Sequence, residues 1–266
     1  NGTNTGVTFG NRGVIGNAGL FNGVSGTRIS VTNAAALTDL NNATSLTVSY
    51  WVKSNAAIQQ TPLTIRGSAS TQNKILTLFN STGDLSLLSS STGGFITLGT
   101  STTTYYDNQW HHVVASINYT TQNFNVWVDG QNVITGNNTN IRPFNTFSAT
   151  ELTIGSNDSG ASQNVNGSMD QVRIFDVELT SGQVTSLYNE PGYNSTEGTK
   201  DFPVSGVALY QLDGNANDTG GTYNGAATSV TYGSPAERAS TVYNGTPTDV
   251  TFEQGKYDLG AVFNGT

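Results

Sequence analysis

The stretch Ser45-Leu-Thr-Val-Ser-Tyr-Trp-Val-Lys53 decides the fold. In an extended chain Leu46, Val48, Tyr50 and Val52 fall on one face, and Thr47, Ser49 and Trp51 on the other. Alternation with period two marks a β-strand with one face on a core. Working outward, the same pattern recurs. Lys74-Ile-Leu-Thr-Leu-Phe79 reads as a strand, and so do Asp84-Leu-Ser-Leu-Leu88 and Phe95-Ile-Thr-Leu98. His112 to Tyr119 puts Val113, Ala115, Ile117 and Tyr119 on one face. Phe124-Asn-Val-Trp-Val128 runs through Asp129-Gly130 into Gln131-Asn-Val-Ile134. Asp-Gly between alternating segments predicts a tight hairpin, because Gly accepts the positive φ of a type I′ turn. Glu151-Leu-Thr-Ile154 and Met169-Asp-Gln-Val-Arg-Ile-Phe175 complete the set. Thr180-Ser-Gly-Gln183 matches a capping box and predicts one short helix over about 180–188. Strands this numerous with so little helix predict an all-β, two-sheet antiparallel sandwich.

Composition agrees. Of 266 residues, 31 are Gly and only 11% are charged, while eleven Phe, eleven Tyr and three Trp supply a core. The net charge of −8, with ten scattered Lys and Arg, leaves no basic stripe to hold a phosphate backbone, so no nucleic-acid partner is expected. No apolar run is long enough to span a bilayer, so no membrane insertion is expected. The absence of Cys excludes thiol catalysis, Cys-ligated zinc and disulfide staples. The first residue is Asn, which reads as a cut from a longer polypeptide.

The chain also repeats itself. Asn1-Gly-Thr-Asn-Thr-Gly-Val-Thr-Phe9 returns as Asn244-Gly-Thr-Pro-Thr-Asp-Val-Thr-Phe252. Each copy is followed, at nearly the same distance, by Leu20-Phe-Asn-Gly23 or Val262-Phe-Asn-Gly265. A looser third copy is Asn224-Gly-Ala-Ala-Thr-Ser-Val-Thr-Tyr232. Recurrence at both ends points to a tandem array of one domain type. The boundaries read as a sandwich over residues 1–190, a polar linker over 191–205, and a segment 206–266 that holds the opening strands of a second unit or donates strands. That segment is expected either to fold back on the first sandwich, as in a circular permutation, or to add strands to another copy.

Three segments together resemble the laminin-G-like, concanavalin A-like jelly-roll family. They are Leu46-Thr-Val-Ser-Tyr-Trp-Val-Lys53; Asn108-Gln-Trp-His-His-Val-Val114 with Val126-Trp-Val-Asp-Gly130; and Asn166-Gly-Ser-Met-Asp-Gln-Val-Arg-Ile-Phe175 with Leu179-Thr-Ser-Gly-Gln-Val-Thr-Ser-Leu-Tyr188. The segment Ala208-Leu-Tyr-Gln-Leu-Asp-Gly-Asn-Ala-Asn-Asp218 resembles the same family's opening strand and loop. The composition is also similar to that of bacteriophage surface modules. The resemblance implies a jelly roll that binds carbohydrate or protein, often through Ca²⁺ at a rim, although some relatives of the fold hydrolyse glycans. It sets the expected work as adhesion and structural display, at a virion surface or outside the cell. The expected partners are a glycan and further copies of the chain or other virion or surface proteins.

Candidate residues follow. Trp51 and Trp127 lie on the less apolar faces of their strands. They form either a stacking platform for sugar or a second buried layer. Asn157 and Asp158, in the loop before the last strand, join them as sugar contacts. Calcium takes oxygen ligands, and the resemblance points to Asp107 and Asp158, with Asp213 and Asp218 in a second acidic loop. No enzyme is expected, because hydrolysis of a glycoside needs two facing carboxylates about 5–10 Å apart and no Glu, Asp, Glu alternation appears on any strand. His111 and His112 point to opposite faces of their strand and cannot share an ion. Asp170, close to Arg173, reads as a structural polar contact. The alternative to adhesion is a purely structural assembly protein whose strands pair between copies; a glycan hydrolase ranks third.

Overall fold

The computed structural model describes residues 2–31, 37, 40, 43–67, 73–91, 94–142, 149–157, 162–190, 202–212, 216–219, 226–228, 250–255 and 258–263. The chain opens with β1 (Gly2–Thr5), β2 (Thr8–Arg12), β3 (Asn17–Asn22) and β4 (Arg28–Val31). The long middle run is β5 (Ser45–Lys53), β6 (Gln60–Arg66), β7 (Asn73–Phe79), β8 (Asp84–Ser91) and β9 (Gly94–Thr104). Next come β10 (His111–Asn118), β11 (Asn123–Val128), β12 (Gln131–Asn137), β13 (Glu151–Ile154) and β14 (Asn166–Phe175), then helix α1 (Ser181–Asn189). The last elements are β15 (Ala208–Tyr210), β16 (Ala226–Thr228), β17 (Val250–Gly255) and β18 (Asp258–Phe263).

Two sheets face each other. One runs β16-β1-β4-β13-β6-β7-β8-β9, and the other β12-β11-β10-β5-β14-β3-β2, with β15 added to β14. The apolar face of β5 meets Ile29, Leu63, Ile65, Ile75, Leu87 and Ile154 across the sandwich. Each fully buried Leu or Ile there contributes about 1.5–3 kcal/mol of hydrophobic stabilisation. The β11–β12 hairpin turns at Asp129 and Gly130, both with positive φ (52° and 78°), as the Asp-Gly pair predicts.

Three features differ from the sequence expectation. β6 sits in the middle of its sheet although it contains Pro62, which lacks an N–H; the pairing with β7 shifts register between Gln60 and Leu63 and absorbs it. Leu37 and Leu40 are helical and buried, where no helix was expected. The β1–β16 pairing is parallel, where every connection was expected to be antiparallel.

The repeat has a structural counterpart. In β2–β3, Thr8 pairs with Leu20 and Phe9 with Gly19. In β17–β18, Thr251 pairs with Val262 and Phe252 with Ala261. These are equivalent positions of the two sequence copies, so the hairpins agree in register at these pairs; beyond them β2–β3 shifts register between Phe9 and Asn11, whereas β17–β18 runs on without a shift. β16, from the third copy, lies along β1 with Thr3 opposite Ala226 and Thr5 opposite Thr228, again equivalent positions.

Candidate functional site

The outer face of β5 is not open. Trp51 stacks on Tyr188 of α1 (ring centroids 5.7 Å apart, planes at 22°) and packs on His112 at 4.9 Å. Trp127 lies in a second apolar cluster with Val114, Phe175, Leu179, Val184 and Leu187, against which Phe202 and Val204 pack. Only 7% of Trp51 and 6% of Trp127 is exposed. Of the two readings of these rings, the structure shows the buried layer and not the sugar platform: helix α1 with Phe202 and Val204 covers this face, and the Trp residues form its second core.

Many polar groups on the covered face are paired, although His112 Nδ1 and Arg173 Nε have no hydrogen-bond partner among the described residues. Thr47 Oγ1 donates to Val177 O (2.7 Å) and lies 2.9 Å from Ser116 Oγ. Ser49 Oγ lies 2.9 Å from His112 Nε2. Burial, reinforced by the nearby Arg173 charge, pushes the His112 pKa down to about 3, so the ring is neutral at ordinary pH. Arg173 Nη2 lies 2.9 and 2.7 Å from the two oxygens of Glu190, the C-cap of α1, which ties the helix end to β14. Asp170 Oδ2 accepts from the backbone N–H groups of Val14 (2.7 Å) and Ile15 (3.0 Å), the structural polar role read from sequence. A side chain at Gly13 would collide with that carboxylate oxygen, which explains the glycine.

An accessible polar rim is built from the β5–β6, β9–β10 and β13–β14 loops, with Gly23 N of the β3–β4 loop donating to Val165 O (2.9 Å). Gln60, 1% exposed, organises the rim. Its amide donates to Ser54 Oγ (3.1 Å) and Ala56 O (2.9 Å), and its carbonyl accepts from Asn166 N (2.8 Å). Ser54 Oγ in turn donates to Asn166 O (2.7 Å). Asn108 N donates to Ser54 O (3.1 Å), and Tyr106 Oη to Ile58 O (2.7 Å), which pins the β9–β10 loop beside the β5–β6 loop.

On this base stands a ladder of side-chain amides. Gln163 Oε1 accepts from Thr61 Oγ1 (2.8 Å) and from Asn157 Nδ2 (3.0 Å), while Gln163 Nε2 donates to Gln59 Oε1 (2.7 Å). Gln163 holds a positive φ of 55°, and Thr61 N donates to its carbonyl at 2.8 Å, so its backbone is fixed too. Asn157 is half-buried, Gln59 is exposed, and Ile58 beside them is 43% exposed. The rim thus presents oriented neutral donors and acceptors next to apolar surface, the combination that recognises hydroxyl-rich ligands. Of the sequence candidates, Asn157 belongs to this rim. Gln59, Gln60 and Gln163 were missed: isolated Gln residues carry no motif, and only the loop pairing brings them together.

Asp107 stands at the β9–β10 end of the rim. Its Oδ1 accepts from Gln109 N (2.8 Å) and lies 3.1 Å from His111 Nε2, whose Nδ1 meets Asp129 Oδ2 at 2.8 Å. Burial alone would lower the His111 pKa, but the bonds and charges of Asp129 and Asp107 outweigh it and hold the pKa above the ordinary histidine value. The imidazole fills the gap between the two carboxylates, so they do not flank an open space where a glycosidic bond could sit. Among the described residues no group of three His, Cys, Asp or Glu converges in a metal-binding set. Asp218 is buried and its Oδ1 accepts from Leu209 N (3.0 Å), which makes it a structural contact of β15. Asp158 and Asp213 lie outside the described residues.

The architecture defines a two-sheet jelly-roll sandwich with a rim of loops. The chain matches the family described as the concanavalin A-like lectin/glucanases superfamily over residues 25–185, more than half of its length, and belongs to it. Solved structures share the fold at low identity. Domain 4 of AbnA, an extracellular arabinanase from Geobacillus stearothermophilus, solved with arabinotriose, is 21% identical with a TM-score of 0.54, over 69% of this chain and 82% of that one. The Ruminococcus gnavus IT-sialidase CBM40 bound to α2,3-sialyllactose is 11% identical with a TM-score of 0.51, over 64% of this chain and 96% of that one. The binding domain of botulinum neurotoxin DC, solved in complex with SialylT, is 17% identical with a TM-score of 0.53, over 73% of this chain and 46% of that one. No curated protein matches the sequence.

Proposed function

We propose that this chain is a non-catalytic glycan-binding module, and that the amide rim at Gln59, Asn157 and Gln163 holds the sugar. The observation that carries the reading is the ladder of oriented amides beside the exposed Ile58. Its side chains are fixed before any ligand arrives, which lowers the entropic cost of binding. The carbohydrate complexes of structural neighbours support the same class of ligand. Among the described rim residues there is no open aromatic platform, and affinity per module is weak, about millimolar; repetition on a surface raises it through avidity. A secreted or surface-exposed setting fits, with a tandem-repeat virion fibre or appendage as the particular setting we favour. No helix among the described residues is long and apolar enough to cross a membrane.

Calcium belongs to the same proposal at the Asp107 end of the rim. The carboxylates described do not make a cage by themselves, so a cation there would need amide or carbonyl oxygens beside Asp107.

A glycan array probed with a multivalent display of the chain, with calcium and with EDTA, tests the reading. Binding is expected, with loss of about tenfold or more in an Asn157→Ala/Gln163→Ala double variant, the scale of one or two lost hydrogen bonds. A signal unchanged in that variant would move the site elsewhere, and an array silent under both conditions would sink the glycan reading. EDTA sensitivity reports on calcium separately.

A further inference from the structure

We infer that residues 207–212, clasped by residues 216–219, form an exchangeable closing element, which completes the flank of β14 within this chain and can do the same for a second copy of it. The segment brings its own clasp. Leu209 N donates to Asp218 Oδ1 (3.0 Å), Thr219 N donates to Leu209 O (2.9 Å), and Tyr210 bridges to Asp218. Residues 207–212 and 216–219 are therefore bound to each other as well as to the sandwich.

Its seat is a gap in the sandwich. β3 pairs with β14 only from Asn166 to Met169, and β15 takes the remaining flank, with Ala208 opposite Ile174 and Tyr210 opposite Val172. Val207 N adds a bond to Ile174 O at 2.9 Å. Ala208, Leu209, Tyr210 and Leu212 are all buried. With the seat empty, the backbone of β14 from Val172 to Ile174 would be a bare strand edge above an apolar pocket, the kind of surface that recruits a strand from elsewhere.

Two further observations favour a second copy as that source. The tether before this segment, Pro191 to Asp201, is rich in Gly, Asn, Ser and Thr. Its eleven residues reach up to about 35 Å when extended, enough to carry the strand off its own body. The sequence after it is built like the start of another unit, since Asn244 to Phe252 repeats Asn1 to Phe9 and the pairs Thr251–Val262 and Phe252–Ala261 match Thr8–Leu20 and Phe9–Gly19. A strand from another copy would make the same contacts as the strand in place, so exchange costs little beyond association.

The absence of Cys makes the test clean. An Ile174→Cys/Ala208→Cys double variant should close a disulfide within one chain, because directly opposed antiparallel residues lie within disulfide reach. The single variants, Ile174→Cys and Ala208→Cys, are then unfolded together, refolded at high concentration and oxidised. A covalent dimer containing one of each, absent from either variant alone, is the expected result. A mixture that stays monomeric while the double variant closes would confine the strand to its own chain and overturn the proposal. Failure of the double variant to close would contradict the register and overturn it as well.

Discussion

The two faces of β5 use different chemistry to reach the same burial. Leu46, Val48, Tyr50 and Val52 face the opposing sheet and pack against apolar side chains. Thr47, Ser49 and Trp51 face the other way and are just as hidden, under α1 and the chain from Phe202 onward. The first face is held by area removed from water. The second needs a partner for each polar atom, because a buried donor or acceptor left unpaired costs about 1–3 kcal/mol. Alternation in a strand therefore separates the more apolar face from the less apolar one. It does not separate inside from outside, and that is why Trp51 and Trp127 read equally well as a sugar platform and as core.

The largest effect should come from breaking the covered face at its charge pair. Glu190→Ala leaves the Arg173 guanidinium buried and uncompensated, and should cost about 3–5 kcal/mol in a urea titration. A loss under 1 kcal/mol would mean that water reaches Arg173 and the face is less closed than described. On the apolar face, Leu46→Ala should cost about 2–5 kcal/mol through lost transfer energy and the cavity left behind. The comparison sharpens if both variants are also read by tryptophan fluorescence. Glu190→Ala should loosen the lid over Trp51 and Trp127, whereas Leu46→Ala should leave both rings covered.

The adjacent histidines extend the contrast to pH. Unfolded, each imidazole takes a proton near pH 6.5. Folded His112 refuses one until about pH 3, so between those values the unfolded state binds more protons, and the stability His112 lends is lost as pH falls. The slope from this residue is at most about 1.4 kcal/mol per pH unit. Folded His111, held by Asp107 and Asp129, binds its proton more tightly than the unfolded chain does. Its contribution is complete below pH 6.5 and disappears as pH rises through its raised folded pKa. Urea midpoints across the acid and neutral range should show the acid loss shrinking in His112→Asn and the alkaline loss shrinking in His111→Asn. The same profile in both variants would refute the assignment of opposite environments.

How much of this was legible depended on whether a residue acts through its neighbours in sequence or in space. The β5 alternation, the Asp129-Gly130 turn and the Thr180–Gln183 capping box are local patterns with one physical meaning each, and the structure contains all three. β6 was hidden by Pro62, since the irregular pairing that tolerates it belongs to the partner strand. The rim was hidden almost completely. Gln60 matters because Ser54, Ala56 and Asn166 converge on one amide from two different loops, and nothing in the five residues on either side of it announces that. Asn157 was found only through its place in the loop before the last strand.

The smallest effect is expected at the N-terminus of the lid. Thr180 caps α1 through its own Oγ1, which accepts from Gln183 N at 3.3 Å, while Gln183 Oε1 accepts from Thr180 N at 2.8 Å. Thr180→Ala removes the first bond and should cost about 1 kcal/mol. It should not expose the rings beneath, because the lid is held down by Val184 and Leu187 in the apolar cluster and by Glu190 at its far end. A small shift in urea midpoint with unchanged tryptophan emission would show that the covered face is held by its own packing and ion pair. A large shift with red-shifted emission would show instead that α1 is marginal and that the covered face depends on its cap. The apolar face of β5, on the other side of its sheet from α1, would then be the independent core of the two.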